Sequence, residues 1–161
     1  MAPFQLCAIT DTDRTWLPAF FADHWGSTQQ VVRGECFVPH ELPGFVATID
    51  NVPVGVITYR FLNETTGEVT TLNSLREGIG IGGALVRAVM EVMRQQERTQ
   101  LVVVTTNDNL HALRFYQRLG FVLALLRANA LAGSRRIKPE IPLIGFDGIP
   151  LRDEIELTMT L

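Results

Sequence analysis

The segment LREGIGIGGALVRA, Leu75 to Ala88, decides how the rest of the chain is read. Gly78, Gly80, Gly82 and Gly83 crowd six positions, and a helix-forming sequence follows at once. Glycine this dense opens a helix where the backbone must turn left-handed, or where a Cβ would exclude something that has to approach. Three readings compete. The order Gly78-Ile79-Gly80-Ile81-Gly82-Gly83 satisfies the dinucleotide fingerprint G-x-G-x-x-G. That fold, however, wants the motif after the first strand of a βαβ unit and an acid at the end of the next strand. The second reading is plain packing of the helix on a sheet. The third is an anion cradle: first-turn N–H groups are unpaired and partly positive, and glycine lets a pyrophosphate come close. A Walker loop is excluded, because no Gly-Lys-Ser/Thr follows the glycines.

Upstream of the glycines the sequence reads as an antiparallel meander. GFVATID (44–50) and VGVITYRFL (54–62) are rich in β-branched and aromatic residues, and a turn at Asn51, Val52 and Pro53 predicts a hairpin. A turn at 63–67 and a third strand, EVTTLNSL (68–75), lead into the glycines. Further upstream, Asp11, Thr12 and Asp13 offer caps for a helix burying Trp16, Leu17, Phe20 and Phe21, with Gly26 as its stop. Residues 27–43 read as loop with a short strand. Downstream, Ile81, Ala84, Leu85, Ala88, Val89, Val92 and Met93 recur at helical spacing. LVVVTT (101–106) is a short apolar strand of the kind buried on both faces. Asn107, Asp108 and Asn109 cap a helix with Leu110, Leu113, Tyr116 and Leu119 inward, and Gly120 ends it. Strands at 121–126 and 155–161 flank a long connection, 127–154, rich in proline and glycine. The meander argues against the dinucleotide reading, as does a next strand ending in Thr105, Thr106 and Asn107. The element order is that of an α/β (α+β) fold, a mixed sheet with helices packed on it.

The whole chain bounds the function. Its 161 residues suit a single domain over 1–161, with 47% hydrophobic and 19% charged residues. A net charge of -3 argues against a general nucleic-acid partner. No apolar run is long enough to span a membrane, and no secretory signal is read at the start, so a cytoplasmic protein is expected. Cys7 and Cys36 are isolated and fit reduced thiols. His24, His40 and His111 lack metal-ligand spacing, so no metal is expected.

Two linked motifs give the chain a family resemblance. GIGGAL (80–85) matches the glycine part of the Gln/Arg-x-x-Gly-x-Gly/Ala signature of GNAT-type N-acetyltransferases. NLHALRFYQRLGF (109–121) matches that family's Asn-x-x-Ala-x-x-Phe-Tyr-x-x-x-Gly-Phe pattern throughout. One helix and one strand separate the motifs, as in the family. The chain therefore resembles a GNAT enzyme along nearly its whole length. The resemblance implies a mostly antiparallel central sheet flanked by helices and splayed between its two middle strands. It implies acetyl-CoA as co-substrate. The backbone of Leu72, Asn73, Ser74 and Leu75 would pair with the pantetheine arm, and an N–H around Asn73 or Ser74 would meet the oxyanion. Arg76, Gly78, Gly80, Ile81, Gly82 and Gly83 would cradle the pyrophosphate, Asn109 would touch the cofactor arm, and Arg118 could reach its nucleotide end. Glu77 stands where the family has Gln or Arg, and is expected to point away from the anion.

Acetyl transfer to an amine needs a base, because an alkylammonium of pKa ~10 leaves about one molecule in a thousand ready to attack at neutral pH. Glu68, on the strand entering the glycines, is the candidate base, with a solvated turn residue as its other reading. Tyr116 matches the family tyrosine that protonates the leaving thiolate; without the motif it would read as core. The expected function is N-acetylation of a primary amine on a small-molecule or amino-acid-like acceptor. The alternative is a non-catalytic CoA-binding or sensor module of the same fold. Acceptor groups could come from Trp25, Ser27, Arg33, Arg60, Arg135, Arg136, Lys138, Asp147 and Asp153. Many members of the family are dimers, so the resemblance also allows a homodimer.

Overall fold

The computed structural model describes residues 3–161. In chain order the elements are β1 (Gln5–Ala8), α1 (Leu17–Trp25), β2 (Gln30–Val32), β3 (Glu35–Phe37), β4 (Gly44–Ile49), β5 (Val52–Phe61), β6 (Thr66–Ser74), α2 (Ile81–Gln95), β7 (Gln100–Thr106), α3 (Leu110–Arg118), β8 (Val122–Arg127), α4 (Ala130–Ile137) and β9 (Glu154–Thr160). Helices and mostly antiparallel strands make the α/β class expected. The chain divides into two compact units. One holds the chain to residue 28, residues 38–101 and residue 161; the other holds residues 29–37 and 102–160.

In the first unit the strands lie in the order β1-β4-β5-β6, each pair antiparallel. The hairpin between β4 and β5 turns on Asp50 and Asn51, both at positive φ (50° and 64°), as a tight two-residue turn requires. Pro53, read as part of that turn, instead lies within β5, paired with Thr48 next to the register shift that leaves Val54 as the extra residue, an irregular place that tolerates proline. α2 lays Ile81, Leu85, Val86, Val89 and Met93 into the core. At about 1.5–3 kcal/mol for each buried side chain, that face anchors the helix by on the order of 10 kcal/mol. The close approach is made possible by strand glycines. A Cβ on Gly55 would stand 2.6 Å from Ile81, and one on Gly67 would stand 2.1 Å from the sulfur of Met93. Leu17 and Phe21 of α1 close the core against Val56.

Two expectations for this region change. Asp13 does not cap α1: its carboxylate accepts from the Thr10 N–H and hydroxyl, both at 2.8 Å, and α1 starts later, with Pro18 in its first turn. The β1 strand was not anticipated, because its residues are mostly exposed and carry little pattern. Gly26 does end α1, in the left-handed region.

In the second unit β9 lies between β7 and β8 and pairs antiparallel with β8. β2 and β3 form a separate hairpin turning on Arg33 and Gly34, both at positive φ. The 127–154 connection, read as a long loop, contains α4 and is pinned by polar contacts. The Arg135 guanidinium donates to the carbonyls of Ile141, Pro142 and Leu151, and Lys138 Nζ donates to the Gln29 carbonyl at 3.0 Å. Burial pushes the Lys138 amine down, partly countered by Glu140. Leu110, expected inward, is exposed. No helix among the described residues is long and apolar enough to cross a membrane.

Candidate functional site

β6 carries the site's first half. Arg60 stands opposite Glu68 and Tyr59 opposite Val69, but Thr58 then faces Thr71, so Thr70 is an extra residue, a β-bulge. Its mark is a threonine cluster: Thr58 Oγ1 lies 2.7 Å from Thr70 Oγ1 and 2.5 Å from Thr71 Oγ1. Successive residues of a regular strand could not both reach one cross-strand hydroxyl. The bulge turns Leu72 to Ser74 relative to the strand's start, as bulges beside sites do. The Leu75 N–H still pairs with the Val54 carbonyl at 2.8 Å, so the strand is held to the edge of the glycine turn.

In the glycine turn, Gly78 and Gly80 take positive φ, 78° and 84°. Nothing lies within 4 Å of where a Cβ would stand at either position. These two glycines therefore do not serve helix packing; Gly55 and Gly67 do. Gly80 is the N-cap residue of α2 and has no side chain with which to cap it. The first helical bond runs from Ala84 N–H to the Gly80 carbonyl at 3.0 Å. The N–H groups of Ile81, Gly82 and Gly83 thus open a 15-residue helix with no partner among the described residues. Arg87 folds back over this first turn, its Nη1 3.2 Å from the Cβ position of Gly83. Four-residue spacing on a helix brings that guanidinium over the preceding turn. Arg87 is absent from the cradle residues read off the sequence, because only the folded helix brings its side chain back over the first turn. Arg76 and Glu77 are exposed. Among the described residues Glu77 forms no ion pair, which suits a carboxylate standing in water. Unpaired N–H groups, the positive helix end and Arg76 and Arg87 fit a pyrophosphate.

Glu68 is not a solvated turn residue. It lies within β6, is 1% exposed, and one carboxylate oxygen accepts from Arg60 Nε at 2.6 Å. Trp25, at the end of α1, donates its indole N–H to Asn73 Oδ1 at 2.8 Å. That bond brings α1 to the far end of β6, beside the segment Leu72 to Leu75. Of that segment Leu72 and Asn73 are half-buried, and Ser74 and Leu75 are exposed.

Asn109, Tyr116 and Arg118 belong to the second unit. Asn109 is the N-cap of α3, its Oδ1 accepting from the Ala112 N–H at 3.0 Å. Asn109→Ala should therefore cost about 1 kcal/mol, and Asn109→Ser should restore most of it. In thermal unfolding that is a fall of ~2–4 °C for alanine and a return towards wild type for serine. Its neighbours hold other parts of the unit. Asn107 Oδ1 accepts from the Arg152 and Asp153 N–H groups, and buried Asp108 accepts from Thr106 Oγ1 and the Phe146 N–H. Tyr116 is buried, with Phe115 and Phe121 edge-on to its ring. Burial pushes the Tyr116 phenol up, so it stays protonated at neutral pH. Arg114 and Arg118 are exposed, as helix-face charges would be.

Most of the charges considered for an acceptor are engaged elsewhere. Arg33 binds Glu156, and its N–H binds Glu154. Arg60 holds Glu68, Arg135 and Lys138 pin the connection, and Asp153 accepts from the Asn129 N–H. Trp25 remains half exposed next to Asn73. Among the described residues no group of three or more His, Cys, Asp or Glu is placed to hold a metal ion.

A bulged antiparallel strand running through a left-handed glycine turn into an uncapped helix makes an α/β fold with room for an anionic ligand at the helix mouth. The chain belongs to the Acetyltransferase (GNAT) family, which residues 9–121 match. It is 44% identical over 144 residues to the uncharacterised protein YxbD of Bacillus subtilis (strain 168), covering 89% of this chain and 90% of that one. A GNAT family acetyltransferase from Elizabethkingia anophelis, solved with acetyl-CoA bound, superposes with a TM-score of 0.69 at 22% identity, covering all of both chains. The IAA acetyltransferase of Bacillus cereus ATCC 14579 superposes with a TM-score of 0.71 at 21% identity, over 98% of this chain and 99% of that one. These two structures speak to the fold alone.

Proposed function

We propose that the chain, acting as one domain, transfers the acetyl group of acetyl-CoA to a primary amine on a small-molecule or amino-acid-like acceptor. The observation that carries this reading is the α2 mouth: two left-handed glycines with open space around them, three N–H groups without a partner, and Arg87 folded over the first turn. The backbone of Leu72 to Leu75 would hold the pantetheine arm as an added strand, by pairing of main-chain amides. In the reaction, the amine nitrogen attacks the thioester carbonyl, the carbon–sulfur bond breaks, and the oxyanion formed on the way is met by a backbone N–H of β6. Glu68 takes the proton that the amine loses, and Tyr116 gives one to the departing thiolate. A phenol is protonated at neutral pH in any case, and burial holds the Tyr116 proton more tightly, so it leaves only towards the thiolate charge that develops as the carbon–sulfur bond breaks. The two exposed free thiols, Cys7 and Cys36, fit a reducing compartment such as the cytoplasm.

The test is to incubate the purified protein with acetyl-CoA and a panel of primary amines and follow free thiol. Amine-dependent thiol release is expected. Tight CoA binding by calorimetry, with no amine accelerating release, would instead favour a non-catalytic CoA-binding module. The engagement of Glu68 by Arg60 is the observation that keeps that second reading in view. Within the catalytic reading, Tyr116→Phe should lower kcat on the order of 10²-fold while the KM for acetyl-CoA changes less than about twofold. Steady-state kinetics at saturating amine reads both, and an unchanged kcat removes Tyr116 as the acid.

A further inference from the structure

Paired residues of neighbouring strands share a face of the sheet, and the contacts of β5 tell which face each pair takes. Val56 packs against Leu17 and Phe21, so Val56 and its partner Asn73 look towards α1. A Cβ on Gly55 would meet Ile81 and Leu85, so Gly55 and its partner Ser74 look towards α2. Alternation along β5 then puts Thr58 and Arg60 on the α1 face, together with their partners Thr71 and Glu68. Glu68 and Asn73 are an odd number of positions apart, which in a regular strand would set them on opposite faces. The extra residue at Thr70 brings both onto the α1 face. The two faces thus divide the work: the α2 face leads to the helix mouth and its glycines, and the α1 face holds the candidate base.

We propose that the Asn73 side-chain amide selects acceptors bearing a carboxylate or carbonyl oxygen on the carbon beside the amine-bearing carbon, and that Trp25 positions that amide. The inference rests on the acetyl-transfer reading and narrows its acceptor. The indole N–H of Trp25 can only donate, and it donates to Asn73 Oδ1 at 2.8 Å. That bond decides which way the amide faces. Oδ1 is engaged by α1, and Nδ2 turns its two protons elsewhere, with no partner among the described residues. Asn73 is half-buried and Trp25 is 39% exposed, so the pair borders open space. A donor held there accommodates an oxygen and disfavours an ammonium or a second N–H. Its neighbours on the same face are turned to β5: Thr71 Oγ1 lies 2.5 Å from Thr58 Oγ1, and Glu68 accepts from Arg60. Arg60 also balances the Glu68 charge, so an acceptor carboxylate approaching this face meets no uncompensated anion. On the acetyl-transfer reading a backbone N–H of this stretch meets the oxyanion, so the thioester reacts beside Asn73. The amide therefore meets the part of the acceptor nearest its amine. In an amino acid that part is the carboxylate, and in an amino-acid amide it is the carbonyl. A plain alkylamine offers neither and leaves the donor unanswered.

The test measures kcat/KM by thiol release at saturating acetyl-CoA for L-amino acids, their amides and the amines left when the carboxyl group is removed. Leucine, leucinamide and isopentylamine make one such set. Each value is expressed per unprotonated amine, because the members of a set differ in amine pKa. The unaltered chain should prefer an oxygen-bearing member by at least ~10-fold, the contribution of one hydrogen bond to a charged or polar oxygen. The carboxylate and amide arms tell a free amino acid from an amino-acid amide. Asn73→Asp keeps an oxygen for the indole N–H and puts a second oxygen where Nδ2 donated. It should abolish or reverse the preference, while CoA affinity by calorimetry stays within about threefold because the backbone of β6 is unchanged. Trp25→Phe removes the indole N–H and should narrow the preference to under ~3-fold at unchanged CoA affinity, a ratio that a merely structural role would not move. An unaltered chain that is indifferent, or that prefers the plain amine, overturns the assignment of Asn73 and leaves acetyl transfer standing; that comparison needs no variant to fold. A preference that survives Asn73→Asp overturns it as well. No thiol release with any of these amines overturns acetyl transfer and this inference together.

Discussion

Gly80→Val is expected to weaken CoA binding at least ~100-fold while the protein still unfolds in one cooperative transition. Gly80 sits at φ 84° with nothing within 4 Å of its Cβ position. A Cβ there meets nothing within 4 Å, so the main cost to the fold is the left-handed backbone, roughly 1–2 kcal/mol. The cost to binding is larger, because the new side chain stands in the open mouth of α2. Charge-assisted hydrogen bonds contribute about 1.5–3 kcal/mol each, so losing two N–H contacts to a pyrophosphate accounts for a hundredfold. Gly34→Val separates the two effects. Gly34 has φ 74° and open space around its Cβ position, but turns the β2–β3 hairpin. It should show a similar loss of stability with unchanged CoA affinity. Calorimetric titration of CoA into each variant makes the comparison. Binding by Gly80→Val within about threefold of wild type would mean that the glycines only shape the turn.

The distinction between glycines that pack and glycines that open a mouth was not available from the letters. Gly55, Gly67, Gly78 and Gly80 look alike in sequence; only the neighbours of an added Cβ divide them into two that meet α2 and two that meet nothing. The helix itself was legible, since Ile81, Leu85, Val89 and Met93 recur at its period and all are buried. The hairpins were legible to within a residue or two, because β-branched runs and turn residues alternate clearly. What stayed hidden was whatever depends on a distant partner. β1 is recognisable only through its pairing with β4, and α4 only through the contacts that pin the proline-rich connection.

The candidate site divides in the same way. Tyr116 and Asn109 could be placed on α3 by motif, and the cap role of Asn109 followed from its type and its position before an apolar helix. The guanidinium partner of Glu68 could not be inferred, because it depends on the register of β5 against β6, which the turn between Phe61 and Thr66 sets rather than the letters of either strand. The bond from Trp25 to Asn73 spans 48 positions and leaves no local trace. On β8 the letters gave the strand but not its exposure, since an apolar run does not tell which of its faces the fold leaves in water.

Glu68 and Arg60 pose a question that stability and activity answer together. Arg60→Met removes the guanidinium from a carboxylate that is 1% exposed, and breaking a buried pair from one side costs roughly 3–5 kcal/mol. For a chain of this size that lowers Tm by ~6–20 °C. Glu68→Gln should cost less, because the amide oxygen can still accept from Arg60 Nε and the guanidinium left behind is not fully buried. Replacing both, Arg60→Met with Glu68→Leu, should recover most of the stability, since exchanging a buried pair for apolar groups of similar size is often neutral. Activity then separates scaffold from catalyst. If Glu68 accepts the amine's proton, both Glu68→Gln and the stable double variant lose on the order of 10²-fold in kcat, and the loss is greatest below the acceptor's pKa, where the amine arrives protonated. As pH rises and free amine becomes abundant, the deficit should narrow. Thermal unfolding paired with a pH–rate profile reads both quantities on the same proteins. A double variant that is stable and turns over like wild type at every pH would make the pair a cross-strand clamp and move the search for the base to water.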